Sequence, residues 1–152
     1  MTHVNLMNNY FNPNLVYTKK DFRRLFWMRC HVFERVLCDV QQVNPYFRQK
    51  RDKAGLSGFS PYKKVTVALQ MMTYGSSAES MIETHGMSKS TFLETLQQFC
   101  VTIVQVYKDE YLRKPNQEDL DRLLRKAEDR GFPGMIRSLD CMYWDWKNCP
   151  TK

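Results

Sequence analysis

From Thr18 onward, apolar residues recur at three- and four-residue spacing, the pattern of amphipathic helices. Thr18 and Asp21 have the spacing of a capping box, and Phe22, Leu25 and Phe26 share one face behind them. Phe33, Val36, Leu37 and Val40 then repeat at i, i+3, i+4, i+7 until Asn44-Pro45 ends the period. Ser60-Pro61 opens the next helix, with Val65, Ala68, Leu69 and Met72 as its stripe and Gly75 as its stop. A short helix runs from about Ala78 to Thr84 and closes at Gly86. Ser88 caps a longer one whose face is Phe92, Leu96, Phe99 and Ile103. Pro115-Asn116 begins the last, with Leu120, Leu123, Leu124 and Ala127 expected to face inward and Gly131 as C-cap.

The stretches between these periods are read by composition. Residues 1–17 are Asn-rich without periodicity and read as an irregular lead-in; residues 48–58 are polar and Gly-containing and read as a basic linker. Phe132-Pro133-Gly134 is a turn, and Met135 to Met142 reads as an extended segment. The expected fold is mainly α: five or six helices in a bundle over residues 18–130. A helix-turn-helix-like unit falls at about 61–107, and a short extended tail occupies 131–152.

Composition adds a partner class. The chain has 152 residues, 43% of them hydrophobic, so a packed core is feasible. Its net charge of +7 is uneven: residues 1–60 hold ten Lys/Arg against four Asp/Glu, a net of +6. Such a basic front points either to a polyanion, with nucleic acid leading, or to a solvated face. Arg48, Lys50, Arg51 and Lys53 in the linker are candidate phosphate contacts. Five cysteines form no CxxC pair, and with no secretion signal they argue for reduced thiols in the cytosol or nucleus. His3, His31 and His85 show no metal or triad spacing, and no apolar run approaches a membrane span.

Residues 61–107 follow the order long helix, short helix, tight Gly turn, long helix. In a helix-turn-helix the last helix presents its N-terminal residues to the major groove, here Ser88, Lys89, Ser90 and Thr91. Lys63 and Lys64 could add phosphate contacts. The bland reading stands beside this one: Ser88 is first an N-cap, ordinary bundles use the same order, and the segment has no net charge.

The stretch Gly131-Phe132-Pro133-Gly134-Met135-Ile136-Arg137-Ser138-Leu139-Asp140, continuing to Pro150, resembles the first catalytic strand of plant Harbinger-type transposases of the DDE nuclease superfamily. Tyr74-Gly75, Ser90-Thr91, Phe99 and the Lys63-Lys64 helix start are similar to the helix-turn-helix region that precedes the nuclease in that family. The resemblance spans roughly residues 18–152. It implies that Asp140 is the first of three acids that hold two Mg²⁺ ions on an RNase H-like sheet for in-line phosphodiester attack.

The family's other acids lie further along, so residues 131–152 are expected to open a missing nuclease domain. The chain is then expected to be a truncated, transposase-derived protein without nuclease activity, retaining a helical DNA-binding or protein-interaction region and with no cofactor of its own. The alternative is a fragment of an active metal-dependent endonuclease. Arg137 stands where the family shows glycine, Tyr143 where histidine is common, and Asp145 at no family position. Trp144 and Trp146 fit either a base-stacking platform or a core. The implied partners are DNA and a Myb-like protein, with the nucleus as location and the cytoplasm as alternative.

Overall fold

Thr18 begins the first helix of the expected bundle through the interaction its sequence announces. Its Oγ1 accepts from the Asp21 N–H, and the Asp21 carboxylate accepts from the Thr18 N–H, closing a capping box. The computed structural model describes residues 2–12, 14, 16–51 and 53–137, and divides into a unit over Met1–Leu112 and another over Arg113–Lys152.

The first unit contains α1 (His3–Tyr10), α2 (Lys19–Phe26), α3 (Cys30–Val43), a 3₁₀ turn (Pro45–Phe47), α4 (Pro61–Tyr74), α5 (Ala78–His85) and α6 (Lys89–Tyr111). The mainly helical expectation holds, and the described residues contain no β-strand beyond an isolated antiparallel bridge between Arg51 and Ser57. Helix α4 lies at the centre, packed on α1, α2, α3 and α6. One side of it, Val65, Ala68 and Leu69, joins a core with Phe22, Phe26, Phe33, Leu37, Val40 and Phe99. The other, Val67 and Met71, joins Ala78, Met81, Met87 and Phe92. Aromatic rings dominate the first core: Phe22 and Phe26 are 4.4 Å apart between centroids, and Phe26 meets Phe33 edge-on at 5.2 Å.

This central position explains a departure from the expected stripe. Met72 is exposed while Thr66, Val67 and Met71 are buried, because a helix covered on two sides buries more than one face. A polar seam ties α3 to α6. The Asn44 amide donates to Gln98 Oε1 at 3.0 Å and Thr102 Oγ1 at 2.8 Å, and the Tyr46 hydroxyl bonds Thr95 Oγ1 at 2.8 Å.

The lead-in expected to be irregular contains helix α1. Thr2 caps it by accepting from the Asn5 N–H, and Leu6 is fully buried. Tyr10 and Phe11 follow on the rings of Phe22 and Phe26. A single buried leucine among asparagines leaves no periodic signal, so tertiary burial decides this helix rather than propensity.

In the second unit, α7 (Gln117–Glu128) starts from a capping box between Asn116 and Asp119. It ends as expected at Gly131: with φ +81°, the Phe132 N–H reaches the Ala127 carbonyl and the Gly131 N–H reaches that of Glu128, a Schellman motif. The stripe expected to face inward is covered only in part, since Ala127 is buried but Leu123 is exposed. Among the described residues this unit has no second helix to cover it. Residues 135–137 form no strand, and the rest of the expected extended segment lies outside the described residues.

Candidate nucleic-acid interface

Helix α2 separates most of its charges from its apolar side chains. Phe22 and Phe26 are buried one turn apart. At 100° per residue, Arg23, Lys20 and Arg24 lie about 60°, 120° and 160° around the helix from Phe26, while Lys19 sits at the edge of the apolar face about 20° from it; all four are exposed. Arg29 and His31, beyond the turn into α3, line the same surface recess as Lys19, Lys20 and Arg23. The acid of this helix, Asp21, is engaged by its own cap. Bonds from Thr18 hold its pKa below the usual carboxylate value, and Arg24 lies 3.7 Å away. Lys20, Asp21, Arg23 and Arg24 line a second surface recess together with Trp27, the C-cap of α2.

Sequence reasoning passed over this surface. The basic excess of residues 1–60 is visible in composition, but the linker residues Arg48, Lys50, Arg51 and Lys53 are only four of its ten cations. The usable signal was the i, i+1, i+4, i+5 spacing of the four cations, with Lys20, Arg23 and Arg24 turned away from Phe22 and Phe26 and Lys19 at the edge of their face.

The linker divides. Arg48 donates from Nε to the Gln41 carbonyl at 2.8 Å and from Nη2 to that of Gln42 at 2.9 Å, so it satisfies the C-terminal end of α3. Lys50, Arg51 and Lys53 are exposed. The loop that carries them is closed by the Gly58 N–H on the Lys50 carbonyl and by the Gln49 amide on the Gly58 carbonyl, each at 2.9 Å.

Lys63 and Lys64, expected to meet phosphate, are each 8% exposed. The Lys63 ammonium lies 4.8 Å from the Phe59 ring centroid, and Lys64 donates to the Tyr46 carbonyl at 2.7 Å. Burial lowers both pKa values. Both amines are directed at protein groups because α4 is covered on two sides, which the local sequence does not show.

At the α5–α6 turn, Gly86 has φ +60° and its N–H bonds the Ile82 carbonyl. Ser88 Oγ caps α6 by accepting from the Thr91 N–H at 3.3 Å, and it also bonds Ser90 Oγ and Thr91 Oγ1. Lys89 pairs with Glu79 at 2.5 Å, both side chains exposed. The four residues proposed to enter a groove are thus brought together at one helix start. Glu79 places a carboxylate beside them.

A separate apolar groove runs between α3 and the end of α6, lined by Val36, Ile103, Val104, Tyr107 and Tyr111. The hydroxyl of its lining residue Tyr107 donates to Asp39 Oδ2 at 2.6 Å; burial and this bond push its pKa up to about 12. Among the described residues no three of His, Cys, Asp or Glu gather as a metal ion would require, and no helix is long and apolar enough to cross a membrane. Asp140, with Tyr143, Trp144, Asp145 and Trp146, lies outside the described residues.

The molecule is therefore a mainly helical protein with a compact cationic face on its second helix. Residues 109–152 match the family model described as Plant transposon protein, a similarity that supports a transposon-derived origin. Residues 3–41 match a model described as Domain of unknown function (DUF8418), which begins at the start of α1 and takes in α2 and most of α3. No curated protein and no solved structure matches the chain.

Proposed function

We propose that this chain is a transposase-related nucleic-acid-binding protein whose helical unit holds phosphates on the α2 face, acting in the nucleus. The observation that carries this reading is the arc of Lys19, Lys20, Arg23 and Arg24, exposed together and anchored by the buried Phe22 and Phe26. The helix fixes the backbone of these four residues in advance, so binding has only the side chains to order, and affinity for polyanions comes from the counterions that phosphate neutralisation releases. The similarity of residues 109–152 to a plant transposon family supports the same class of ligand.

The test is the salt dependence of binding to duplex DNA. Its log–log slope is about −0.9 per phosphate neutralised. Replacing all four cations by Gln is expected to flatten the slope by up to about four such increments, more than replacing Lys50, Arg51 and Lys53. An unchanged slope assigns the face to solvent.

Within this proposal α4, α5 and α6 serve as the helix-turn-helix unit, with Lys89 and Ser90 reading base edges. Lys89 would exchange Glu79 for DNA, at small cost because an exposed ion pair is screened by solvent and contributes little. A second reading, docking of a protein such as the Myb-like partner of Harbinger-type transposases, is favoured by the apolar groove between α3 and α6.

A further inference from the structure

Three helices of the first unit end on a residue in the left-handed conformation. At the ends of α4 and α5 that residue is glycine, Gly75 and Gly86, both with φ +60°. At the end of α2 it is Trp27, with φ 55° and ψ 18°, the one non-glycine with positive φ among the described residues. Trp27 is also 76% exposed, more than any other large apolar side chain described. Folding gains little from this choice. The left-handed region disfavours a side chain, and an indole left in water gives up the burial that makes tryptophan useful. A residue that is costly in both respects marks a position whose side chain acts on something outside the fold.

The surroundings name the chemistry. The Trp27 side chain shares a surface recess with Lys20, Arg23, Arg24 and Asp21, whose carboxylate is engaged by Thr18 and lies near Arg24, so a planar aromatic face stands in a recess of net positive charge. The turn that presents it is held firmly. Phe22 and Phe26 are buried beneath it, and the Tyr74 hydroxyl lies 3.1 Å from the carbonyl oxygens of both Arg24 and Leu25. Alternation of fixed positive charge with an exposed ring matches a strand that alternates phosphates with flat bases. A paired duplex matches half of it: its phosphates are available, but its bases are already stacked on one another. An acidic peptide likewise offers charge without a regular succession of flat faces.

We propose that the α2 face is a site for unpaired nucleic acid, with phosphates on Lys20, Arg23 and Arg24 and one base stacked on Trp27. This rests on the nucleic-acid reading above and states which form of nucleic acid that surface prefers. Stacking of this kind is sequence-tolerant, because every base has a π-face.

The experiment uses the whole chain and four probes: an oligothymidylate of about 12 nucleotides, its duplex with oligoadenylate, an abasic strand of equal length, and a poly-glutamate peptide. Trp27→Gly removes the ring at a position where glycine is at home, so the fold is expected to persist. Its affinity for the oligothymidylate is expected to fall roughly 5- to 150-fold, while affinity for the duplex and the abasic strand is unchanged. Trp27→Phe is expected to retain most of the binding. If Trp27→Gly binds the oligothymidylate as well as the wild type does, or loses the abasic strand equally, stacking is overturned. The cation-dependent salt slope would still support the nucleic-acid reading. If the Lys19, Lys20, Arg23 and Arg24 replacements leave that slope unchanged, both ideas fall together. Poly-glutamate binding that is tighter than strand binding and lost in Trp27→Gly would overturn the proposal in favour of an acidic-peptide surface.

Discussion

The Lys64 ammonium donates to the carbonyl oxygen of Tyr46 at 2.7 Å and lies 4.3 Å from the centre of the same residue's ring. The carbonyl belongs to the 3₁₀ turn after α3, so this lysine fastens α4 to that turn. Its charge serves the fold. We expect Lys64→Ala to lower unfolding stability by about 1.5–3 kcal/mol, the range for a hydrogen bond to a charged group. The salt slope of nucleic-acid binding should stay as it is. A stable variant with a flattened slope would return Lys64 to the binding surface.

Helix α1 carries one fully buried aliphatic side chain, Leu6, and its first residue bonds the first unit's core helix through His3 Nδ1 and Ser60 Oγ at 2.9 Å. Leu6→Ala is expected to cost about 2–5 kcal/mol, as truncation in a packed core does. A loss below about 0.5 kcal/mol in chemical denaturation is what an exposed segment would show, and it would detach α1 from the core.

Ser88, Lys89 and Ser90 separate structure from recognition. Ser88→Ala removes the N-cap of α6 and is expected to cost about 0.5–2 kcal/mol of stability with or without DNA. Lys89→Ala and Ser90→Ala are expected to leave the melting temperature nearly unchanged and to weaken DNA binding. Where either reads a base edge, discrimination at that pair relaxes by about 1–3 kcal/mol. Should Ser88→Ala be the one change with any effect, confined to melting temperature, the start of α6 is structural and the docking reading gains.

His85 is 4% exposed, its Nδ1 has no hydrogen-bond partner among the described residues, and its ring stands edge-on to Phe92. Burial, reinforced by the Lys63 ammonium, lowers its pKa from 6.5 to about 4. The unfolded chain therefore takes up this proton at higher pH than the folded one. The contribution of His85 to stability is full above pH 6.5 and is lost progressively as pH falls toward about 4. In thermal melts across that window, His85→Leu is expected to show a shallower decline than the wild type. Identical profiles would place the acid sensitivity in other groups.

If Asp140 is the nuclease acid that the transposase resemblance implies, it stands without the other two, and a lone carboxylate holds Mg²⁺ weakly because the ion keeps its waters. The 152-residue chain is expected to show no metal-dependent DNA cleavage. Nicking that requires Mg²⁺ or Mn²⁺ and disappears in Asp140→Ala would falsify this.

Helix boundaries were largely legible in the sequence. Thr18 with Asp21, Ser60 before Pro61, Gly75, Gly86, Ser88, Asn116 with Asp119, and Gly131 all act where their residue types indicate. A cap closes its hydrogen bonds within about five residues, so its information is local and survives without tertiary structure. Burial carries no such local record. Nothing near Lys63 and Lys64 shows that α4 will be covered on two sides, and nothing near Leu6 shows that a core awaits it. Those outcomes depend on segments far apart in the chain, as when Asn44 bonds Thr102. The same holds for the candidate surface. The charge excess of residues 1–60 is visible in composition. Packing of Phe22 and Phe26 turned four of those charges outward together, and the left-handed turn after α2 set Trp27 beside them.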